Sequence, residues 1–339
     1  MEDVDLKAVL EDSRNTLSTT LIQIKDGETA AELTPHFILQ QFWQRLGSSF
    51  QAVSQEATKL SLAFSQASLP SVQTLKALTG LLVEAVQGAA IIFFSFPKPL
   101  GLTLQKRVRT AVVDMVEGIL RLLGSVCDVP HHSHTQGHFA YTGSVWEACD
   151  KSVNLPRDNM EALLEILQDQ LDTVQDAINE FRLVQEENDS EQFVSSLNGL
   201  VIETQDNQET YLSESDRQIM MSALSLVQMV KNTLRRLCHL VRKYGRANEP
   251  ACVAQLDDIA DGARAFSASV DDFLLSIYPP VEHSDLRQHA EKLADLLKNV
   301  LNIMRFSHIC PEEKRPWVSI LLLSISHDLE KLIQLASCP

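Results

Sequence analysis

Glycine and proline are scarce in this sequence. The 339 residues contain 12 of each, roughly 7% of the chain where an average protein has about 12%. Because these residues make most tight turns, their scarcity argues against a fold with many turns and favours long helices. The length suffices for about two domains of ordinary size, each with its own core.

Positive charge is also in short supply. Lysine and arginine number 29 against 45 aspartates and glutamates, which gives a net charge of -16. Such a chain repels DNA, RNA and anionic lipid, so basic protein surfaces are the expected partners. The N-terminus Met1-Glu-Asp-Val-Asp5 lacks the order of a signal peptide. The longest uninterrupted apolar run, Ala89–Phe94, is far shorter than the roughly 20 residues that span a bilayer. We expect a soluble intracellular protein that contacts neither nucleic acid nor membrane directly.

The sequence lacks the common catalytic and metal-binding motifs. It has no GxSxG, P-loop, HExxH or GxGxxG motif, and no nucleophile with an accompanying base. Its six cysteines, at positions 127, 149, 238, 252, 310 and 338, form no CxxC pair and no metal-finger spacing. We therefore expect reduced structural thiols, no cofactor, no metal ligand and no catalytic residue.

One motif, by contrast, is typical of metal-binding enzymes. Asp257, Asp258 and Asp261 spell DDxxD, and a second pair follows at Asp271 and Asp272. Helical enzymes that ionise prenyl diphosphates hold magnesium with such boxes. A helical wheel places Asp257, Asp261 and Asp272 near the centre of the polar arc, and Asp258 and Asp271 toward its edges.

Carboxylates that point outward suit solvent or a protein partner better than an enclosed metal. The second pair also lacks its third acid. We interpret these five aspartates as an acidic face for protein docking, while a solvated polar face and a magnesium-dependent isoprenoid enzyme remain alternatives.

Apolar residues recur at steps of three and four along nearly the whole chain, which predicts an all-α fold. Nine helices are predicted, at about 4–24, 35–67, 71–95, 102–127, 157–187, 214–245, 251–278, 284–308 and 316–336. Short connections between them predict antiparallel neighbours in two bundles. The predicted domains are residues 1–127, a linker at 128–156 with a short helix at Ser144–Cys149, and residues 157–339 with a flexible acidic insertion at about 188–212.

Three further patterns occur in the sequence. His131, His132, His134 and His138 lie within eight residues and could bind zinc or nickel, although loop histidines usually bind metal only adventitiously. The segment Leu234–Arg246 is a basic helix end, which suits the C-terminal helix dipole. Arg121-Leu-Leu123 and Arg235-Arg236-Leu237 match the RxL pattern that docks on cyclins, but these leucines lie on apolar helical faces.

Several segments, in order along the chain, resemble the cyclin-D-binding protein family. The matching stretches are Phe42-Trp-Gln-Arg-Leu46, Glu56–Gln66 with Leu69-Pro70, Ser144-Val-Trp146, Pro156-Arg-Asp-Asn159, Val253–Ile259 and Ser269–Pro280. The resemblance implies a non-enzymatic, all-helical regulator similar in architecture to vinculin and α-catenin, found in cytoplasm and nucleus.

The resemblance also implies partners. Members of this family bind D-type cyclin, lower phosphorylation of the retinoblastoma protein by the cyclin-dependent kinase, and restrain E2F-driven transcription. They are also known for binding an SH2/SH3 adaptor and, as Id-like helix-loop-helix proteins, are described as opposing bHLH transcription factors. A cytoskeletal adaptor that resembles vinculin only in shape remains a further alternative.

Overall fold

The structure, a computed structural model, describes residues 2–30, 32–66, 68–127, 136–197, 214–278 and 283–337. Every long regular element in these ranges is an α-helix and none of their residues lies in a strand, which confirms the all-α class. The helices are α1 (Glu2–Asp26), α2 (Leu39–Phe64), α3 (Val72–Phe94), α4 (Leu102–Cys127), α5 (Gln136–Lys151), α6 (Asn159–Leu197), α7 (Glu214–Tyr244), α8 (Pro250–Ala263), α9 (Phe266–Leu275), α10 (His283–Phe306) and α11 (Arg315–Ser337).

The chain forms two compact units, residues 1–162 and residues 163–339. In unit 1, α3 packs against α1 and α2, α5 packs against α2 and α4, and α1 packs against α4, so the five helices close a ring. Phe50, Phe93, Phe96 and Leu122 fill its centre and are at most 1% exposed. Complete burial of one such side chain stabilises the fold by roughly 1.5–3 kcal/mol, so the matching apolar stripes hold the ring together.

The start of α4 is fixed by a residue from the start of α6. Gly101 has φ 121°, a conformation that side chains rarely adopt. A Cβ atom there would also collide with Asn159, whose side chain is fully buried. The Leu104 backbone N–H donates to Asn159 Oδ1 at 2.9 Å. Asn159 thus satisfies one of the free N–H groups at the N-terminus of α4 and ties residue 159 to unit 1.

In unit 2, α10 packs against α8, α9 and α11, and α7 packs against α9 and α11. α6 contacts this group at Gln170 and Phe181. The Ser267 backbone N–H donates to Gln170 Oε1 at 2.8 Å, and the rings of Phe181 and Tyr278 meet edge to face at 5.8 Å between centroids.

Several predicted boundaries differ from the structure. The predicted helix 251–278 is interrupted at Ala265, where φ is -90° and ψ is -1°, so it forms α8 and α9. Thr34 and Pro35 begin a turn instead of a helix, since the Phe37 N–H donates to the Thr34 carbonyl at 3.0 Å.

Two predicted elements are longer in the structure. The short helix at 144–149 belongs to the 16-residue α5, which packs in unit 1. α6 continues to Leu197, into the segment predicted as a flexible insertion, and residues 198–213 lie outside the described part of the chain. The predicted domain limits stay a prediction.

In the described residues, α3 is the one helix that is long and apolar enough to cross a membrane. In unit 1 this helix packs against α1 and α2, with Leu75, Leu82 and Val86 fully buried. The core helix of a bundle in water has the same length and composition. These properties alone therefore assign no membrane role to α3.

Candidate protein-docking surface

The three DDxxD carboxylates do not share one environment. Asp258 and Asp261 are exposed, but Asp257 is only 9% exposed. The expectation that Asp257 points outward is therefore wrong. Asp257 lies on the same side of α8 as Val253 and Ala260, four residues before and three residues after it, and both are buried. The helical wheel missed this because it assigned the faces of α8 from its apolar residues alone, whereas the burial of Asp257 depends on the helices packed against α8.

The second aspartate pair, Asp271 and Asp272, also differs in exposure. Asp271 is exposed, whereas Asp272 is half-buried and its Oδ2 lies 2.9 Å from Lys292 Nζ on α10. This hydrogen bond holds the pKa of Asp272 below its ordinary value. The His289 Nδ1 lies 2.8 Å from the Asp272 carbonyl oxygen and ties the same turn to α10. On α8, Asp261 Oδ1 lies 3.7 Å from Arg264 Nε. We call Asp258, Asp261, Asp271 and Asp272 the α8–α9 acidic face.

Negative charge accumulates beside Asp271. Partial burial raises the pKa of this carboxyl group, and the nearby carboxylates of Asp272 and of Glu180 on α6 raise it further. Like charges raise each other's pKa only when they are close and incompletely screened. The α8–α9 acidic face therefore continues onto α6.

α6 carries an acidic stripe that the sequence analysis missed. Asp169, Asp172, Asp176 and Glu180 recur at steps of three, four and four, and all four are exposed. This spacing puts them on one side of the helix. We call these four residues the α6 acidic stripe. The signal was visible in the sequence, since the same spacing falls within the predicted helix 157–187, but it belongs to no named motif.

The acidic groups do not converge on a common point. In the described residues, no three His, Cys, Asp or Glu side chains are placed to hold a metal ion. Asp257 lies on the buried side of α8, while Asp258 and Asp261 are exposed. A magnesium box needs several carboxylates directed into one enclosed cavity. The exposed carboxylates instead lie apart from one another on α8 and α9, an arrangement that suits a basic protein surface.

Both RxL patterns are inaccessible. Leu122, Leu123 and Leu237 are 0% exposed, which confirms that they lie on the apolar faces of α4 and α7. A cyclin could reach these leucines only if the helices separated. Docking through either pattern would therefore cost the burial energy of the surrounding core.

A cleft of about 530 Å³ lies between α2 and α5 in unit 1. Trp43 lines it, and its Nε1–H donates to the Arg157 carbonyl at 3.1 Å. The Arg157 guanidinium carbon also lies 5.1 Å from the Trp43 ring centroid. Cys149 lines the same cleft, but burial, with a smaller contribution from Asp150, raises the pKa of its thiol to about 12. A thiol that stays protonated at neutral pH is a poor nucleophile.

The structure does not describe the side chains of His131–His138 and Cys338, nor the predicted insertion beyond Leu197. The hypotheses on these groups stay predictions. The other five cysteines are free thiols.

Comparisons with known proteins place the chain in a family. Residues 45–187 match the domain described as "Grap2 and cyclin-D-interacting, N-terminal", and residues 184–302 match "Grap2 and cyclin-D-interacting, C-terminal". A "Cyclin-D1-binding protein 1 homolog" from Xenopus laevis is 39% identical over 315 residues, which covers 93% of this chain and 94% of that protein.

Two more relatives agree. The Danio rerio protein of the same name is 36% identical over 320 residues, with 94% of this chain and 92% of that protein covered. "Cyclin-D1-binding protein 1" from Homo sapiens is 34% identical over 330 residues, with 94% of this chain and 91% of that protein covered. The chain therefore belongs to the Grap2 and cyclin-D-interacting family.

Proposed function

We propose that this chain is a non-enzymatic regulator that binds a D-type cyclin through the acidic surface of unit 2. The observation that supports this most is the similarity, over more than nine-tenths of the chain, to proteins named for binding cyclin D1. The exposed carboxylates of the α8–α9 acidic face offer a docking surface for a basic patch on the partner. The apolar stripes of the helices are buried inside the two units.

The cellular role follows from that binding. Occupying a D-type cyclin lowers phosphorylation of the retinoblastoma protein by the associated kinase, which lowers E2F-dependent transcription and slows cell-cycle progression, as in a tumour suppressor. The protein would act in both cytoplasm and nucleus. An SH2/SH3 adaptor would be a second partner.

Opposition to bHLH transcription factors is a further part of the proposal, and it has a structural cost. Pairing of helix with helix would use an apolar stripe, but in α7 the residues Leu234, Leu240 and Val241 are at most 1% exposed. Such pairing therefore requires the unit to open, and its affinity is reduced by the cost of opening.

Charge reversal tests the docking surface. Asp258→Lys combined with Asp261→Lys reverses two exposed charges on α8, and we expect cyclin D affinity to fall by about tenfold, chiefly through slower association. The measurement is calorimetric titration of a purified D-type cyclin at about 0.1 M and about 1 M salt, since screening should reduce the difference between the proteins.

A matched control carries the same charge change elsewhere in unit 2. Glu313→Lys with Glu330→Lys also reverses two exposed acids, on the turn before α11 and on α11. This control should bind cyclin D like the unchanged protein. An equal loss of cyclin D affinity in both double variants would mean that only the net charge matters. Unchanged binding in the Asp258/Asp261 variant would reject the α8–α9 acidic face as the contact. Failure of the unchanged protein to bind any D-type cyclin would reject the function itself.

A further inference from the structure

The cleft between α2 and α5 of unit 1 has no role in the proposal above. Its volume of about 530 Å³ lies in the range of ligand pockets. The buried residues Leu46, Cys149 and Ser152 line it. Gly47 lines it as well, and a Cβ atom added at this position would meet no other atom within 4 Å. The cleft is therefore a preformed concave surface with open space beside α2.

Two residues that line the cleft, Asp150 and Arg157, carry opposite charges, and both are exposed. Neither forms an ion pair in the part of the chain that the structure describes. The Arg157 guanidinium donates to the Val153 carbonyl at 2.7 Å and lies over the Trp43 ring. These contacts orient the guanidinium group and leave several of its five N–H donors for a ligand.

The charged residues next to these two in the sequence already have partners. Lys151 Nζ lies 2.9 Å from Glu147 Oε1. Asp158 Oδ1 accepts a hydrogen bond from the Glu161 backbone N–H at 2.8 Å. Glu161 Oε2 in turn accepts one from the Arg157 backbone N–H at 2.7 Å. The two charges that line the cleft are therefore the ones left for a ligand.

These two charges lie far apart along the cleft. The Trp43 indole N–H donates to the Arg157 carbonyl, and the Trp146 indole N–H donates to Thr58 Oγ1 at 2.9 Å. Positions 157 and 146 are therefore level with positions 43 and 58 of α2, which are separated by about 22 Å along the helix. Asp150 is one turn, or about 5–6 Å, nearer to Arg157 than Trp146 is. The two charges are thus roughly 16 Å apart along the cleft.

This separation indicates the kind of ligand. A single amino acid is too short to reach both charges, whereas an extended peptide covers roughly 16 Å with about five residues. Gln51 and Gln55 are one turn apart on α2, and both are exposed and line the cleft. Their side-chain amides form no hydrogen bond within the described residues. Such amides can pair with the free backbone groups of an extended chain, whereas a helix pairs its own backbone internally.

We propose that the α2–α5 cleft binds an extended segment of a partner protein, with an acidic side chain on Arg157 and a basic side chain about five residues away on Asp150. The opposite charges fix the direction in which the segment lies. The carboxylate of Asp150 and the net charge of -16 oppose nucleic acid in the same place. The site lies in unit 1, so it does not depend on the cyclin contact proposed for unit 2.

Peptide selection with exchanged charges tests the proposal. A phage-displayed library of random decapeptides is selected on the full-length protein, and we expect peptides with one acid and one base four to six positions apart. One selected peptide is then synthesised and titrated by calorimetry. Arg157→Glu should weaken its binding at least about tenfold, because a charge-assisted hydrogen bond is replaced by repulsion. Replacing the acid of the peptide by lysine should restore binding to Arg157→Glu and weaken binding to the unchanged protein.

A second variant closes the cleft without changing its charges. Gly47→Leu extends a side chain into the open space beside α2, so it should abolish peptide binding. Because leucine favours a helix more than glycine does, the thermal unfolding midpoint should not fall. Gly80→Leu is the matched control, since Gly80 is an exposed glycine of α3 that also has open space beside it. This control should bind the peptide like the unchanged protein.

Three results would overturn the proposal. The library could yield no peptide with the paired charges, which would reject an extended charged segment as the ligand. Gly47→Leu could bind the selected peptide as tightly as the unchanged protein does, or Gly80→Leu could lose as much affinity as Gly47→Leu. Either result would place the peptide outside the cleft. Failure of the lysine-containing peptide to restore binding to Arg157→Glu would reject Arg157 as the contact for the acid.

Discussion

The substitution Leu237→Ala tests whether Leu237 is a buried core residue or a contact for cyclin. Leu237 belongs to an RxL pattern but is 0% exposed on α7. Replacing a fully buried leucine by alanine removes apolar contacts and leaves a cavity, which costs about 2–5 kcal/mol. For a unit of this size, each kcal/mol shifts the melting temperature by about 2–4 °C. We therefore expect clear destabilisation of unit 2.

The assay combines urea unfolding with cyclin D titration under conditions where the variant remains folded. The unfolding midpoint should fall, while the affinity of the folded protein for cyclin D should stay unchanged. Leu323→Ala is the matched control, since Leu323 is 71% exposed on α11, and we expect a change within about 0.5 kcal/mol. Unchanged stability together with lost cyclin binding in Leu237→Ala would refute the reasoning, because it would make Leu237 an accessible contact.

Three further predictions follow from named contacts. Asn159→Ala leaves the buried Leu104 N–H without its acceptor and should destabilise unit 1 by about 1–3 kcal/mol in urea unfolding. Asn159→Asp keeps an acceptor and should cost less, so equal losses would contradict the capping role. Burial and the charge of Arg246 hold the pKa of His308 below its ordinary value. As the pH falls, His308 is therefore protonated in the unfolded chain before it is protonated in the folded protein. The free energy of unfolding should decrease as the pH drops below about 6.5. His308→Gln should flatten this part of a urea-midpoint profile, and an unaltered slope would refute the assignment. Because burial raises the pKa of Cys149 to about 12, its thiol should resist iodoacetamide in the folded protein and react in urea; rapid labelling before unfolding would contradict this.

The fold class was predictable because apolar spacing alone decides it. The stripe Phe42, Leu46, Phe50, Val53 and Ala57 is completely buried in α2, as its period of three and four residues requires. The break between α8 and α9 was not predictable in the same way. The apolar pattern continues through Ala263 and Phe266, so only the backbone shows the interruption.

The candidate surface was only partly predictable. A helical wheel assigns faces from one helix, whereas the exposure of Asp257 depends on every helix that packs against α8. Conversely, Asp176 and Glu180 had a clear spacing but belonged to no motif. The closeness of Glu180 to Asp271 is a tertiary contact, and the local sequence carries no signal for it.

Hydrogen exchange with and without a D-type cyclin tests the central claim most directly. The claim is that the apolar stripes stay buried in both units while the acidic outside of unit 2 docks the partner. We predict added protection in α8 and α9 and unchanged slow exchange in the buried parts of α7 and α10. Faster exchange of α7 and α10 on cyclin binding, or added protection confined to unit 1, would contradict the account.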